Sequence, residues 1–63
     1  MNREFYILQK SLGHYFIRID NNNNIETSSS CIMAQLFDSK VIANRFKVLL
    51  KEQYNIEFNV IKL

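Results

Sequence analysis

The chain has 63 residues and a mass of 7.5 kDa, with 48% hydrophobic, 13% aromatic and 22% charged residues and a net charge of +2. This length admits one domain, 1–63. The composition is too apolar for a disordered tail, and the apolar runs are too interrupted for a membrane span. The positive excess falls in residues 31–63, where Lys40, Arg45, Lys47, Lys51 and Lys62 outnumber Asp38, Glu52 and Glu57, a balance far short of a nucleic-acid-binding tail.

Residues 4–10 (EFYILQK) and 14–20 (HYFIRID) are rich in aromatic and β-branched side chains, and the only glycine, Gly13, lies between them. They predict a β-hairpin. With Leu12-Gly13 as a two-residue loop, Lys10 faces Tyr15, Leu8 faces Ile17 and Tyr6 faces Ile19. One face then carries Tyr6, Leu8, Tyr15, Ile17 and Ile19, and the other carries Phe5, Ile7 and Phe16 beside Gln9, Arg18 and His14. A one-residue slip would mix Arg18 and His14 into the apolar set, which favours this register.

Asp20 and the four asparagines 21–24 predict a turn, since their side chains bond nearby backbone and tolerate left-handed conformations. A short third strand follows at Ile25–Ser28, then a single turn capped by Ser29 or Ser30 through Met33, then an extended Ala34–Phe37. The helix is predicted over residues 39–54, with Asp38 as N-cap, Phe37 and Ile42 as a hydrophobic staple, and Asn55 as a left-handed C-cap. Ile42, Ala43, Phe46, Leu49, Leu50 and Gln53 form its core-facing stripe. A last strand, Ile56–Lys62, turns Ile56, Phe58 and Val60 inward. The expected class is α+β: a small, mainly antiparallel sheet of three or four strands with one amphipathic helix on one face, in the order β-β-β-α-β.

Little in the sequence suggests catalysis, a cofactor or a metal. Cys31 has no cysteine to pair with, and with His14, the one histidine, it falls short of the four ligands of a zinc site. Cys31 is expected as a buried structural thiol and His14 as a solvated turn residue, which leaves no nucleophilic dyad. Asp20, Asn22, Asn24 and Glu26 alternate like the start of a calcium loop. Ile25 stands where that loop needs glycine, however, and Cys31 where it needs glutamate. The protein is expected to be a non-enzymatic, intracellular, cytoplasmic protein, because Phe5–Leu8 is too short for the apolar core of a signal peptide.

Two surfaces are candidates for binding. One helix cannot cover both faces of the sheet, so Phe5, Ile7 and Phe16, with Arg18 and His14, are expected to form a protein interface unless residues 31–37 fold over them. Lys40, Asn44, Lys47 and Lys51 share one flank of the helix and form the alternative, a ridge for nucleic-acid phosphates. Val41 and Val48 add a smaller apolar strip beside Arg45. A chain this short buries only about 60% of its unfolded surface, so a homo-oligomer, most simply a two-fold dimer, is expected.

The runs Phe5-Tyr6-Ile7-Leu8 and Tyr15-Phe16-Ile17, and the stretch Ala34 to Ala43 with its A-x-x-F-x-[ST]-x-x-x-A spacing, resemble short proteins from phages and mobile elements of low-GC Gram-positive bacteria. Eight asparagines, eight isoleucines and no proline agree with AT-rich coding. The resemblance implies a phage or prophage accessory protein that binds and modulates or inhibits a host protein. It implies no functional residue.

Overall fold

The computed structural model of the chain describes residues 4–10 and 13–63. Strands β1 (Tyr6–Gln9), β2 (Tyr15–Ile19), β3 (Ile25–Ser28) and β4 (Asn59–Lys62) form one antiparallel sheet in the order β3-β2-β1-β4. Helix α1 (Lys40–Tyr54) packs across one face, and a 3-10 turn, Cys31–Met33, precedes it. The architecture is the α+β order predicted from the sequence. β4 returns beside β1, with Tyr6 opposite Lys62 and Gln9 opposite Asn59, so the first strand is central. Adjacent residues of a strand face opposite sides, and in β1 both Ile7 and Leu8 are buried, one on each face.

The hairpin closes one residue away from the predicted register. Gln9, not Lys10, stands opposite Tyr15. Lys10 N–H donates to the His14 carbonyl at 2.6 Å and Gly13 N–H to the Lys10 carbonyl at 3.1 Å, so the connection is 11–13. Gly13 takes φ +76, a left-handed conformation that costs glycine nothing and would strain any side chain. Ser11 and Leu12, the latter part of the predicted two-residue loop, lie outside the described residues.

This register turns Phe16, rather than Tyr15 and Ile17, toward the helix. β2 also carries a bulge: Phe16 faces Thr27 but Arg18 faces Glu26, which leaves Ile17 without an opposite partner. The extra residue reverses the alternation, and Ile19, opposite Ile25, returns to the core side. Phe16 and Ile19 are thus both inward while Arg18 stays outside. Uniform alternation, on which the predicted register rested, does not allow that set.

Leu8, Phe16, Phe37, Ala43, Leu50 and Phe58 make the core. Phe16 meets Phe58 edge-on, with ring centroids 6.0 Å apart, and Phe37 lies 5.2 Å from Phe46. Such pairs contribute roughly 0.5–1.5 kcal/mol each beyond their burial. The N-cap is Ser39, not Asp38: Ser39 is extended (φ −139, ψ 127) and its Oγ accepts from Ile42 N–H at 3.4 Å. Asn55 closes the other end at φ 56, as predicted. The buried stripe centres on Ala43 and Leu50, with Phe46, Leu49 and Tyr54 packed beside them. Ile42 and Gln53, both expected inside, are exposed. Phe58 is buried, and Ile56 and Val60 pack against the core.

Candidate functional site: a groove at the fork of β1 and β2

β1 and β2 pair at Gln9–Tyr15 and then diverge, because Ala34–Phe37 enters between them. The 3-10 turn reverses the chain, with Met33 N–H bonded to the Ser30 carbonyl and Ala34 N–H to that of Cys31. The extended segment then docks on both strands. Gln35 N–H donates to the Phe16 carbonyl at 2.9 Å, and Phe37 exchanges two bonds with Tyr6 at 2.8 and 2.9 Å. Ala34 and Phe37 are buried, which anchors the wedge. The segment was predicted to be extended, but it fills the fork instead of lying over one face of the sheet.

Past Phe37 the chain leaves for the helix, and an open groove of about 620 Å³ remains beside β2. Phe37 and Phe46 give it an aromatic lining, and Ile17 and Ile19 of β2 form one side. Leu36 and Ile42 also line it, 50% and 44% exposed. Asp20 N–H donates to the Asn24 carbonyl at 2.9 Å and so faces β3. Strand alternation therefore points the N–H and C=O of Ile19 the other way, toward the groove. Among the described residues no backbone group answers them.

Two charged side chains mark the groove, Arg18 and Asp38. Arg18 Nε lies 2.5 Å from Glu26 Oε2, an atom otherwise shielded from solvent, so Arg18 is already compensated. Asp38 is exposed and has no ion pair among the described residues.

The predicted interface patch does not exist as one surface. Ile7 and Phe16 are each 2% exposed, and the shifted register sends Phe16 to the helix side while Ile7 stays on the opposite face. Phe5 is half-buried and lines the groove. His14 is exposed at the hairpin turn, away from Arg18 on the groove. Cys31 is exposed in the 3-10 turn, contrary to the expected buried thiol, because Ala34 and Phe37 supply that segment's anchors.

Lys40, Asn44, Lys47 and Lys51 do share one flank of α1. Lys47 is half-buried, and Lys51 Nζ lies 3.9 Å from Glu57 Oε1, so the ridge is less open than its spacing implies. Val41 and Val48 are exposed beside Asn44 and Arg45. Asp20 Oδ1 accepts from Asn22 N–H and Asn24 N–H at 2.9 Å each, a turn-stabilising role in place of a cation's.

A polar clasp closes the end of the sheet where β1 starts. Lys62 Nζ lies 2.8 Å from Glu4 Oε1, and Tyr6 Oη donates to Glu4 Oε2 at 3.1 Å. The Lys62 bond, then the Tyr6 bond, hold the Glu4 carboxyl below its usual range. The same Glu4 bond raises Lys62, whereas desolvation followed by the Glu4 bond raises Tyr6. The two contacts link the end of β4 to the start of β1.

Leu36, Ile42 and Ile19 were not singled out as site residues from the sequence. Their signal was indirect: Leu36 next to the buried Phe37 in an extended segment, and Ile42 on the margin of the helix stripe. Among the described residues no helix is long and apolar enough to cross a membrane. No family model, no curated protein and no solved structure matches the chain.

Proposed function

We propose that the protein is a small binding module that engages a partner protein through the groove beside β2. The observation that carries this is the exposure of Leu36 and Ile42 in the lining of an apolar groove of about 620 Å³ beside β2. Exposed apolar side chains lining a concavity are characteristic of an interaction site. The other exposed large apolar groups among the described residues, Ile32 and Met33 on the turn, Val41 and Val48 on the helix and Leu63 after β4, do not line that groove. The resemblance to short phage and mobile-element proteins supports a host protein as the partner, with modulation or inhibition as the consequence of binding.

The test is comparative capture from a bacterial lysate with immobilised wild type, a Leu36→Glu/Ile42→Glu variant and a Lys47→Glu/Lys51→Glu variant. The first pair of side chains is exposed or nearly so, so the fold should survive, as circular dichroism will check. Loss of a captured protein only in the groove variant supports the proposal. Loss only in the lysine variant, together with nuclease sensitivity, would move the function to nucleic acid.

A further inference from the structure

We infer, resting on the groove reading above, that the occupant is an extended segment of the partner that adds as a strand to the inner edge of β2 and carries a lysine or arginine opposite Asp38. Three observations lead there. The N–H and C=O of Ile19 point into the groove, and an edge with free backbone groups is completed most simply by another strand. The chain itself shows that this edge accepts extended backbone, since Gln35 donates to the carbonyl of Phe16, three residues earlier on β2. Apolar side chains come from both sides of the sheet's fork: Phe46 and Ile42 from the helix, Phe5 and Leu36 from the opposite side. A strand's alternating side chains would find apolar contact in both directions.

Charge complementarity selects the end residue. Glu26 compensates Arg18, whereas Asp38 has no ion pair among the described residues, so the groove presents one unanswered negative charge. An acidic segment would be repelled there, and a basic one would gain. A helical segment would use the apolar surface without pairing with the Ile19 backbone, and a second copy of the chain would bind in proportion to protein concentration alone.

Three synthetic hexapeptides with the same alternating valine/threonine body and a terminal Lys, Ser or Asp distinguish these cases, alongside an amphipathic helical peptide. Binding is read by amide chemical shifts of the isotope-labelled full chain at low salt. The lysine peptide should bind about fivefold more tightly than the aspartate peptide, the scale of one exposed ion pair. That preference should vanish in Asp38→Asn, and the Ile19 amide should become protected from exchange. An unchanged preference in Asp38→Asn, tighter binding of the helical peptide, or no binding of any extended peptide at millimolar concentration overturns the strand inference. Groove-localised shifts from the helical peptide would leave the groove reading standing, and so would groove-localised shifts that grow with protein concentration alone. Shifts elsewhere only would remove both.

Discussion

Gln35 donates its backbone N–H to the carbonyl of Phe16 at 2.9 Å, and the bond sits where β1 would otherwise continue its ladder with β2. That contact keeps the two strands apart and leaves Ile19 facing a groove. Gln35→Pro deletes the donor. Ala34 is already extended at φ −66 and ψ 144, as a residue before proline must be, so the change acts on the hydrogen bond rather than on the preceding turn. A loss of about 1–3 kcal/mol is expected by denaturant unfolding. Gln35→Ala keeps the backbone donor and should stay within about 0.5 kcal/mol of wild type.

Phe16 is a core residue and not an interface residue. Phe16→Ala should cost about 3–5 kcal/mol, a large part of the stability of so small a domain. Phe16→Glu should fail to fold, losing its helical circular dichroism. A folded, non-associating Phe16→Glu chain would instead restore the sheet-face patch.

The helix ends separate two neighbouring candidates for one role. Ser39→Ala should destabilise by about 1 kcal/mol because Ile42 N–H loses its acceptor. Asp38→Ala should change stability by no more than about 0.5 kcal/mol. Asn55→Ala should cost about 1 kcal/mol, since alanine at φ 56 lacks the short polar side chain whose local hydrogen bonding lets asparagine tolerate the left-handed region.

The Glu4–Lys62 clasp gives stability a definite pH profile. Glu4 is held below its usual range, so its contribution is present above the unfolded-state carboxylate pKa and disappears as pH falls through the lower folded value. Lys62 is held above its usual value, so its contribution is full below the ordinary lysine pKa and is lost only as pH rises through the higher folded value. The melting temperature of Glu4→Gln should therefore fall below that of wild type near neutral pH, and the two should converge in acid. A gap that persists at pH 2 would show that Glu4 acts through packing instead of charge.

The parts of the fold that were legible in the sequence are those decided locally. The asparagine turn, Ile25–Ser28, the left-handed Asn55 and the inward set Ile56, Phe58 and Val60 each follow from side-chain chemistry within a few residues. The hairpin register did not follow, because the bulge at Ile17 reverses the alternation on which the prediction rested. The groove was hidden for a related reason. It depends on Gln35 and Phe37 pairing with strands far earlier in the chain, and no local pattern in Ala34–Phe37 encodes which edge an extended segment will join. Ile42 satisfied the helical stripe as well as Leu49 did, but the buried line of α1 runs through Ala43 and Leu50 and leaves it outside.

Hydrogen exchange at the Ile19 amide of the dilute, unliganded protein tests the open edge most directly. Ile19 should exchange rapidly while Asp20, whose N–H is bonded to Asn24, is protected. An Ile19 amide as slow as that of Asp20 would mean that the edge is already closed within the chain, and a groove completed by an added strand would be contradicted.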